Sequence, residues 1–268
     1  MAEAIRVLVT GALGKMGAET VRAVTASPET ELVGAVDVQA KGHKISSITG
    51  NESDQRALFT DLEQAIERCR PQVTIDFTNP QAVYENVRTC LRKGIHCVVG
   101  STGLTAQDIA ALAAIAEENR IGLAIVPNFA IGAVLMMKFA ETAAKYFEDV
   151  EIIELHHNQK LDAPSGTAIK TAEMIGSVKP FIPTGHPEEF EKLPGVRGGA
   201  ENGVRIHSVR LPGMIAHQEV IFGGLGQVLT IRHDSMNRES FMPGVILSVK
   251  KVIQTTGLTY GLEPMMEF

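Results

Sequence analysis

The chain has 268 residues, of which 44% are hydrophobic and 21% charged, with 25 basic against 31 acidic side chains and a net charge of −6. That balance excludes a disordered polymer, and with no basic patch to offset it the charge disfavours a nucleic-acid partner. No apolar run approaches the roughly 18 residues a membrane span needs, so no membrane association is expected. At roughly 150 residues per domain the length fits one large or two small domains. The N-terminal MAEAIRVLVTG enters a strand pattern with no signal-like segment. Cys69, Cys90 and Cys97 are widely spaced, form no CxxC pair and sit in apolar-periodic stretches, as buried thiols of a cytoplasmic protein would.

The first half alternates strand and helix. Ile5–Thr10 is an apolar run too short for a helix and ends at glycine, which predicts a buried parallel strand. A helix over about Lys15–Ser27 follows, then strands at Leu32–Asp37 and Val73–Phe77. Asn79-Pro80 turns into a helix over Gln81–Lys93 with Gly94 as its cap. A strand at His96–Gly100 precedes Thr105 and Asp108, which have capping-box spacing ahead of a helix over Ile109–Asn119. Leu123–Val126 is the next strand. Repeated units of this kind predict a parallel, doubly wound α/β sheet.

The second half changes texture. A helix over Ile131–Phe147 leads into the strand-like VEIIELHH and a short helix after Pro164. A Gly/Pro-rich stretch, Lys179–Gly203, reads as a long loop. VRIHSVRL, HQEVIFG and GQVLTIRH are separated by short turns and predict an antiparallel sheet. Phe241–Thr255 returns to helical periodicity. Boundaries fall near residues 128 and 240, with no internal repeat.

Between the first strand and helix lies Gly11-Ala12-Leu13-Gly14-Lys15-Met16-Gly17. Gly11 allows a tight turn, Gly14 lets backbone approach a pyrophosphate, and Gly17 lets the helix pack on the strand, while the first helical N–H groups face the phosphates. The spacing is G-x-x-G-x-x-G, and Met16 stands where a Walker loop needs Ser or Thr, so a magnesium-nucleotide loop is excluded. Asp37, twenty residues beyond Gly17, stands where an acid accepts hydrogen bonds from an adenosine ribose. Together these predict a dinucleotide cofactor. Gly100-Ser101-Thr102-Gly103 and Pro127-Asn128-Phe129 leave the ends of two further strands; each is either part of the ligand crevice or an ordinary loop.

The densest polar stretch is Glu154-Leu-His-His-Asn-Gln-Lys-Leu-Asp-Ala-Pro-Ser-Gly-Thr-Ala168. Adjacent His156 and His157 point to opposite faces of a strand and have no third ligand at metal spacing, so no metal site is expected. One can serve as a proton donor while its neighbour binds. Lys160 adds a positive charge. Ser165 is a candidate N-cap and Gly166 exposes backbone N–H groups, a cradle for a small anion such as a carboxylate, although a capped helix after a polar strand end would look the same.

The segments GALGKMG, VTIDFTNP, GSTGL, PNFAIG, ELHHNQKLDAPSGTA and NRESF (Asn237–Phe241) resemble, in order and spacing over essentially the whole chain, the 4-hydroxy-tetrahydrodipicolinate reductase (dihydrodipicolinate reductase) family. The resemblance implies a Rossmann-like doubly wound parallel sheet in a dinucleotide-binding domain, residues 1–128 with 241–268 returning to it. It further implies a second α+β domain with an open mixed sheet, residues 129–240, that binds substrate and assembles a homotetramer. The implied reaction is NADH- or NADPH-dependent reduction of a cyclic dicarboxylate with loss of water, in lysine biosynthesis through diaminopimelate. By the same resemblance His156 is proton donor or acceptor and Lys160 a proton donor. His157, Gly166 and Thr167 hold the dicarboxylate, with help from Ser165 and Arg238. The cofactor lies along Gly11, Ala12, Leu13, Gly14, Lys15, Met16, Asp37, Gly100, Ser101, Thr102, Val126, Pro127, Asn128 and Phe129.

Val38 departs from relatives that carry an arginine there for a 2′-phosphate, and Asp37 would repel that phosphate. NADH is therefore expected to serve at least as well as NADPH, although Lys41, His43 and Lys44 lie just downstream. Ser101 and Val126 also differ from the residues more usual in the family. Two other readings stay open: another two-domain nicotinamide reductase, which has no need for HHxxK followed by SGT, and a non-catalytic NAD(P)-binding redox sensor, which would survive loss of His156 and Lys160.

Overall fold

Short apolar runs closed by glycine or a turn residue supply the strands of the first unit. The computed structural model describes residues 3–182 and 185–267. In it β1 (Ile5–Thr10), α1 (Lys15–Ala26), β2 (Thr30–Val36), a one-turn α2 (Ser46–Thr49), β3 (Leu58–Phe59), α3 (Leu62–Cys69), β4 (Val73–Asp76), α4 (Val83–Arg92), β5 (His96–Val99), α5 (Ala106–Glu118) and β6 (Gly122–Ile125) follow one another. The expected helix from Gln81 starts two residues later, because the Asn79 side-chain oxygen takes the N–H groups of Gln81 and Ala82 at 3.0 and 3.1 Å and holds them in a turn. The Thr105–Asp108 capping box forms reciprocally, and α5 begins directly after the cap rather than at Ile109. α3, which the sequence pattern left unassigned, is capped by Asp61, whose carboxylate accepts from the Gln64 N–H at 2.8 Å.

The second unit holds α6 (Ile131–Ala143), β7 (Asp149–His156), α7 (Gly166–Val178), β8 (Gly199–Glu201), β9 (Val204–Arg210), β10 (Ala216–Gly224) and β11 (Gln227–Ser235). Its sheet has the order β11-β10-β7-β9-β8. The expected antiparallel run of three consecutive strands is corrected here: β9 and β10 do not pair, because β7 lies between them, antiparallel to β10 and parallel to β9. The link Leu211–Ile215 makes this possible, since five residues easily span the two strand spacings, about 10 Å, needed to step over β7. β7 alternates cleanly: Val150, Ile152 and Glu154 are buried, opposite Phe222, Val220 and Gln218, while Glu151, Ile153 and Leu155 face the other side and are only half-buried. The stretch expected as a long loop contains β8, which pairs with β9.

After a 3₁₀ turn at Arg238–Phe241 the chain returns to the first unit with α8 (Met242–Val252) and β12 (Gly257–Tyr260). The units comprise Met1–Phe129 with Phe241–Phe268, and Ala130–Ser240. The first unit's sheet is parallel throughout, in the order β12-β6-β5-β4-β1-β2-β3. The winding direction reverses between β1 and β4, so the crevice of this α/β sheet opens beyond the C-terminal ends of those two strands.

Beneath that crevice lies a buried carboxylate. Asp76, 2% exposed at the end of β4, accepts hydrogen bonds from five donors. Ser101 Oγ (2.6 Å), Thr78 Oγ1 (2.7 Å) and Thr78 N (3.0 Å) reach Oδ1, and Thr10 Oγ1 (2.8 Å) and Asn86 Nδ2 (3.0 Å) reach Oδ2. A buried carboxylate is costly unless its lone pairs are filled, and filling them ties together the ends of β1 and β4, the loop after β5, and α4. Asp76→Asn should lower the unfolding free energy by about 1–3 kcal/mol in denaturant titrations, because its new NH₂ group meets the amide of Asn86. Adding Asn86→Asp, which offers that NH₂ an acceptor, should recover at least half of the loss; strict additivity of two destabilising changes would contradict this account.

Candidate active site

The glycine loop closes the gap between β1 and α1. Gly11 has φ +74°, and a Cβ there would lie 2.4 Å from the carbonyl oxygen of Phe77. A Cβ on Gly17 would lie 1.9 Å from the carbonyl oxygen of Gly11, so α1 packs on the loop at a distance only glycine permits. Gly14 is different: it is the N-cap of α1 without a side-chain cap, and its Cβ would meet only Gly11 O, at 3.2 Å. Packing therefore explains Gly11 and Gly17, whereas at Gly14 the missing side chain mainly leaves the first-turn N–H groups of Lys15 and Met16 approachable.

Asp37, at the end of β2, is bound to this loop. Its Oδ2 accepts from the Leu13 N–H and its Oδ1 from the Gln39 N–H, both at 2.9 Å. Ala12 is fully buried, and its N–H bonds Val36 O at 3.1 Å. Loop and acid line a cleft of about 570 Å³ together with Val38, Phe77 and Asn79. The cleft also takes in Asp61, Glu63 and Glu85, and no Lys or Arg lines it among the described residues. Lys41, His43 and Lys44 are exposed and outside that lining. Bare glycine backbone, a helix start and a strand-end acid on one cleft fit a dinucleotide.

The remaining first-unit candidates stand at the ends of β5 and β6. A Cβ on Gly100 would collide with the Phe77 ring at 2.2 Å, and Phe77 packs on Phe129 with ring centroids 5.6 Å apart. Ser101 spends its hydroxyl on Asp76. Val126 is buried with its N–H on Val99 O at 2.9 Å; Thr102 and Pro127 are exposed, and Asn128 is half-buried.

In the second unit the polar stretch folds around a residue that sequence reasoning did not single out. Glu154 has a fully buried side chain. Its Oε2 lies 2.5 Å from His156 Nδ1, and Arg210 forks onto it, Nη1 to Oε2 at 2.8 Å and Nη2 to Oε1 at 2.7 Å. The Ser165 N–H donates to Oε1 at 3.3 Å. Desolvation pushes the carboxyl pKa up, but the hydrogen bonds from His156, Arg210 and Ser208 outweigh it and hold the value at about 2. The signal was available in the strand phase: an acid in the buried register of Val150 and Ile152 needs cationic or N–H partners. Arg210, in the buried register of β9 opposite His156, is that partner.

The other second-unit candidates gather after β7. Lys160 Nζ donates to Asp162 Oδ1 at 2.7 Å, which holds the Asp162 carboxyl below its usual range, and Arg210 Nη2 donates to the Asp162 carbonyl at 2.8 Å. His157 is exposed. Ser165 caps α7, its Oγ accepting from the Ala168 N–H at 3.2 Å. Gly166 opens the helix with open space where a Cβ would stand, and Thr167 follows, half-buried. Arg238 lies exposed in the 3₁₀ turn after β11. An exposed imidazole, a lysine and a glycine-led helix start close together in sequence offer an anion three kinds of donor. No group of His, Cys, Asp and Glu among the described residues could hold a metal, and no described helix is long and apolar enough to cross a membrane.

Two family models cover the chain: "Dihydrodipicolinate reductase, N-terminus" over residues 5–129 and "Dihydrodipicolinate reductase, C-terminus" over 132–266. The chain is 56% identical over 266 residues to the 4-hydroxy-tetrahydrodipicolinate reductase of Syntrophomonas wolfei, covering 99% of this chain and 100% of that one. It is 51% identical over 265 residues to that of Bacillus subtilis, covering 99% of each. A solved structure of dipicolinate-bound dihydrodipicolinate reductase from Paenisporosarcina sp. TG-14 superimposes with a TM-score of 0.88 at 48% identity, covering 98% of this chain and all of the other. With both halves matched, the identity high over the full length and the two-sheet architecture shared, the chain belongs to the 4-hydroxy-tetrahydrodipicolinate reductase family.

Proposed function

We propose that the cleft at the glycine loop holds the nicotinamide dinucleotide and that the cluster after β7 holds and protonates the dicarboxylate. The activity is that of the family: the chain is an NAD(P)H-dependent 4-hydroxy-tetrahydrodipicolinate reductase of the diaminopimelate route to lysine. The observation that carries the residue assignment is the grouping of His156, His157, Lys160 and the capped start of α7 around one strand end, where cationic and N–H donors suit a dianion. A dicarboxylate also occupies the Paenisporosarcina relative.

The dinucleotide, when bound, supplies the hydride. The residues of this chain supply the rest. Gly11, Ala12, Leu13 and Gly14 shape the loop on which the pyrophosphate lies, with the Ala12, Leu13 and Gly14 N–H groups bound to Val36 O, Asp37 and Gly11 O. The first-turn N–H groups of Lys15 and Met16 hold the phosphates, and Asp37 takes the ribose hydroxyls. Gly100, Ser101, Thr102, Val126, Pro127, Asn128 and Phe129 line the crevice at the ends of β5 and β6. His157, Gly166, Thr167 and Arg238 bind the substrate carboxylates, and Ser165 assists by fixing the helix start. The ring hydroxyl leaves as water and must take up a proton, which His156 or Lys160 delivers; with Nδ1 on Glu154, His156 acts through Nε2.

In the second unit the sheet face that bears Ile153, Leu155 and Ile221 is only half-buried, and we assign it to a homotetramer interface. Light scattering at micromolar protein should return four chain masses; a monomer mass would remove the assignment. The three cysteines are buried free thiols, which fits a cytoplasmic enzyme.

The deciding experiment follows loss of reduced-nicotinamide absorbance, with substrate generated in place from pyruvate and aspartate semialdehyde by the upstream synthase. Oxidation that depends on the synthase is expected. No oxidation by a folded protein that binds the dinucleotide would favour the sensor reading. Run with both cofactors, NADH should match or exceed NADPH in kcat/KM, because a 2′-phosphate would meet Asp37, Asp61 and Glu63 and no lining cation. A ratio favouring NADPH by more than about tenfold would refute this. Lys160→Ala should lower kcat by roughly 10²-fold with folding intact; unchanged turnover would remove Lys160 from the mechanism.

A further inference from the structure

Glu154 meets its donors from three separate segments. Within β7 it faces His156 Nδ1; from the end of β9 comes the Arg210 guanidinium; from the start of α7 comes the Ser165 N–H. Arg210 spends its remaining Nη donors on the carbonyls of Val209 and Asp162, the latter in the loop that carries Lys160. The carboxylate is thus enclosed by donors, and none of the groups on Oε1 can accept a hydrogen bond in return. On Oε2 the imidazole can, by moving its proton to the other nitrogen, and the Ser208 hydroxyl, which also bonds this carboxylate, can turn to accept without any change of tautomer.

That asymmetry determines what Glu154 does. An ionised carboxylate is an acceptor only, so His156 must carry a proton on Nδ1, and Nε2 is then the nitrogen that gains and gives up the proton used in chemistry. We propose that Glu154, kept charged by Arg210, is a positioning residue: it fixes the Nδ1–H tautomer and ring orientation of His156 and, by the same carboxylate, holds the start of α7 in register with that ring. The proposal deepens the reading of His156 as a proton-transfer group and rests on it. The logic is that of a buried acid orienting a catalytic imidazole in other enzymes.

The test uses the full-length enzyme labelled with ¹⁵N in histidine, with the His156 resonances identified by their loss in His156→Asn. At a pH where His156 is neutral, the wild type should show Nδ1–H and an unprotonated Nε2. In Glu154→Gln the amide oxygen keeps the two donors on Oε1, Arg210 Nη2 and the Ser165 N–H. The NH₂ group therefore takes the Oε2 position, where it gives up the bond from Arg210 Nη1 and faces the ring, and His156 should switch to the Nε2–H tautomer. In the synthase-coupled assay kcat should fall roughly 10³-fold with the KM for NADH unchanged, since the glycine-loop cleft is untouched. A purely structural Glu154 would move thermal stability and leave the tautomer alone. An Nε2–H tautomer in the wild type overturns the proposal, and that measurement holds even if Glu154→Gln fails to fold. So does a Glu154→Gln enzyme whose kcat stays within about threefold of wild type. Absence of NADH oxidation by the wild type would instead overturn the reading of the reaction, and the tautomer measurement would still decide the role of Glu154.

Discussion

A carboxylate withdrawn from water is tolerated only where each of its lone pairs meets a donor, and both units place such a group where their strands end. In the first unit Asp76 is satisfied by hydroxyls and amides alone, which draws four chain segments together under the crevice. In the second, Glu154 is satisfied by a guanidinium, an imidazole, a helix N–H and the Ser208 hydroxyl. The difference in donor type matches a difference in duty. Neutral donors around Asp76 set backbone positions. Titratable and cationic donors surround Glu154, and in the role proposed for it they couple backbone position to the protonation of a side chain.

The same economy governs the glycines. At Gly11, Gly17 and Gly100 a single added carbon would run into backbone or an aromatic ring, so the loops at the ends of β1 and β5 are pressed against the structure beneath them. Gly14 and Gly166 differ, since each begins a helix with little or nothing near its missing side chain. One precedes the turn assigned to a pyrophosphate and the other the turn assigned to a carboxylate. On those assignments, backbone N–H groups at a helix start serve anions of different shape in both units.

Much of this was legible in the sequence. The runs Ile5–Thr10, Val73–Phe77, His96–Gly100 and Leu123–Val126 sit within a residue or so of their strands, because a fully buried parallel strand leaves a short, unbroken apolar signature. The capping box at Thr105 and Asp108 was readable for the same local reason. What was not legible is non-local. β3 and β12 are two and four residues long and are strands only because β2 and β6 offer them an edge. The placement of β7 between β9 and β10 depends on pairing over dozens of residues, which no periodicity records. Glu154 shared this obscurity: it lies inside a recognisable motif, but its importance shows only once β7 has an inside and an outside and Arg210 has been brought beside it.

The discontinuity of the first unit also bears on how the chain is made. Its sheet ends on β12, and α8 packs against β5 and β6, yet both elements follow the whole of the second unit in sequence. During synthesis β6 therefore emerges as an unpaired edge and stays so while more than a hundred further residues are added. The second unit, continuous from Ala130 to Ser240, can complete its own sheet in that interval. The nascent first unit must meanwhile leave the apolar flank of β5 and β6 without the cover of α8 and β12, the kind of exposed surface through which incomplete domains aggregate.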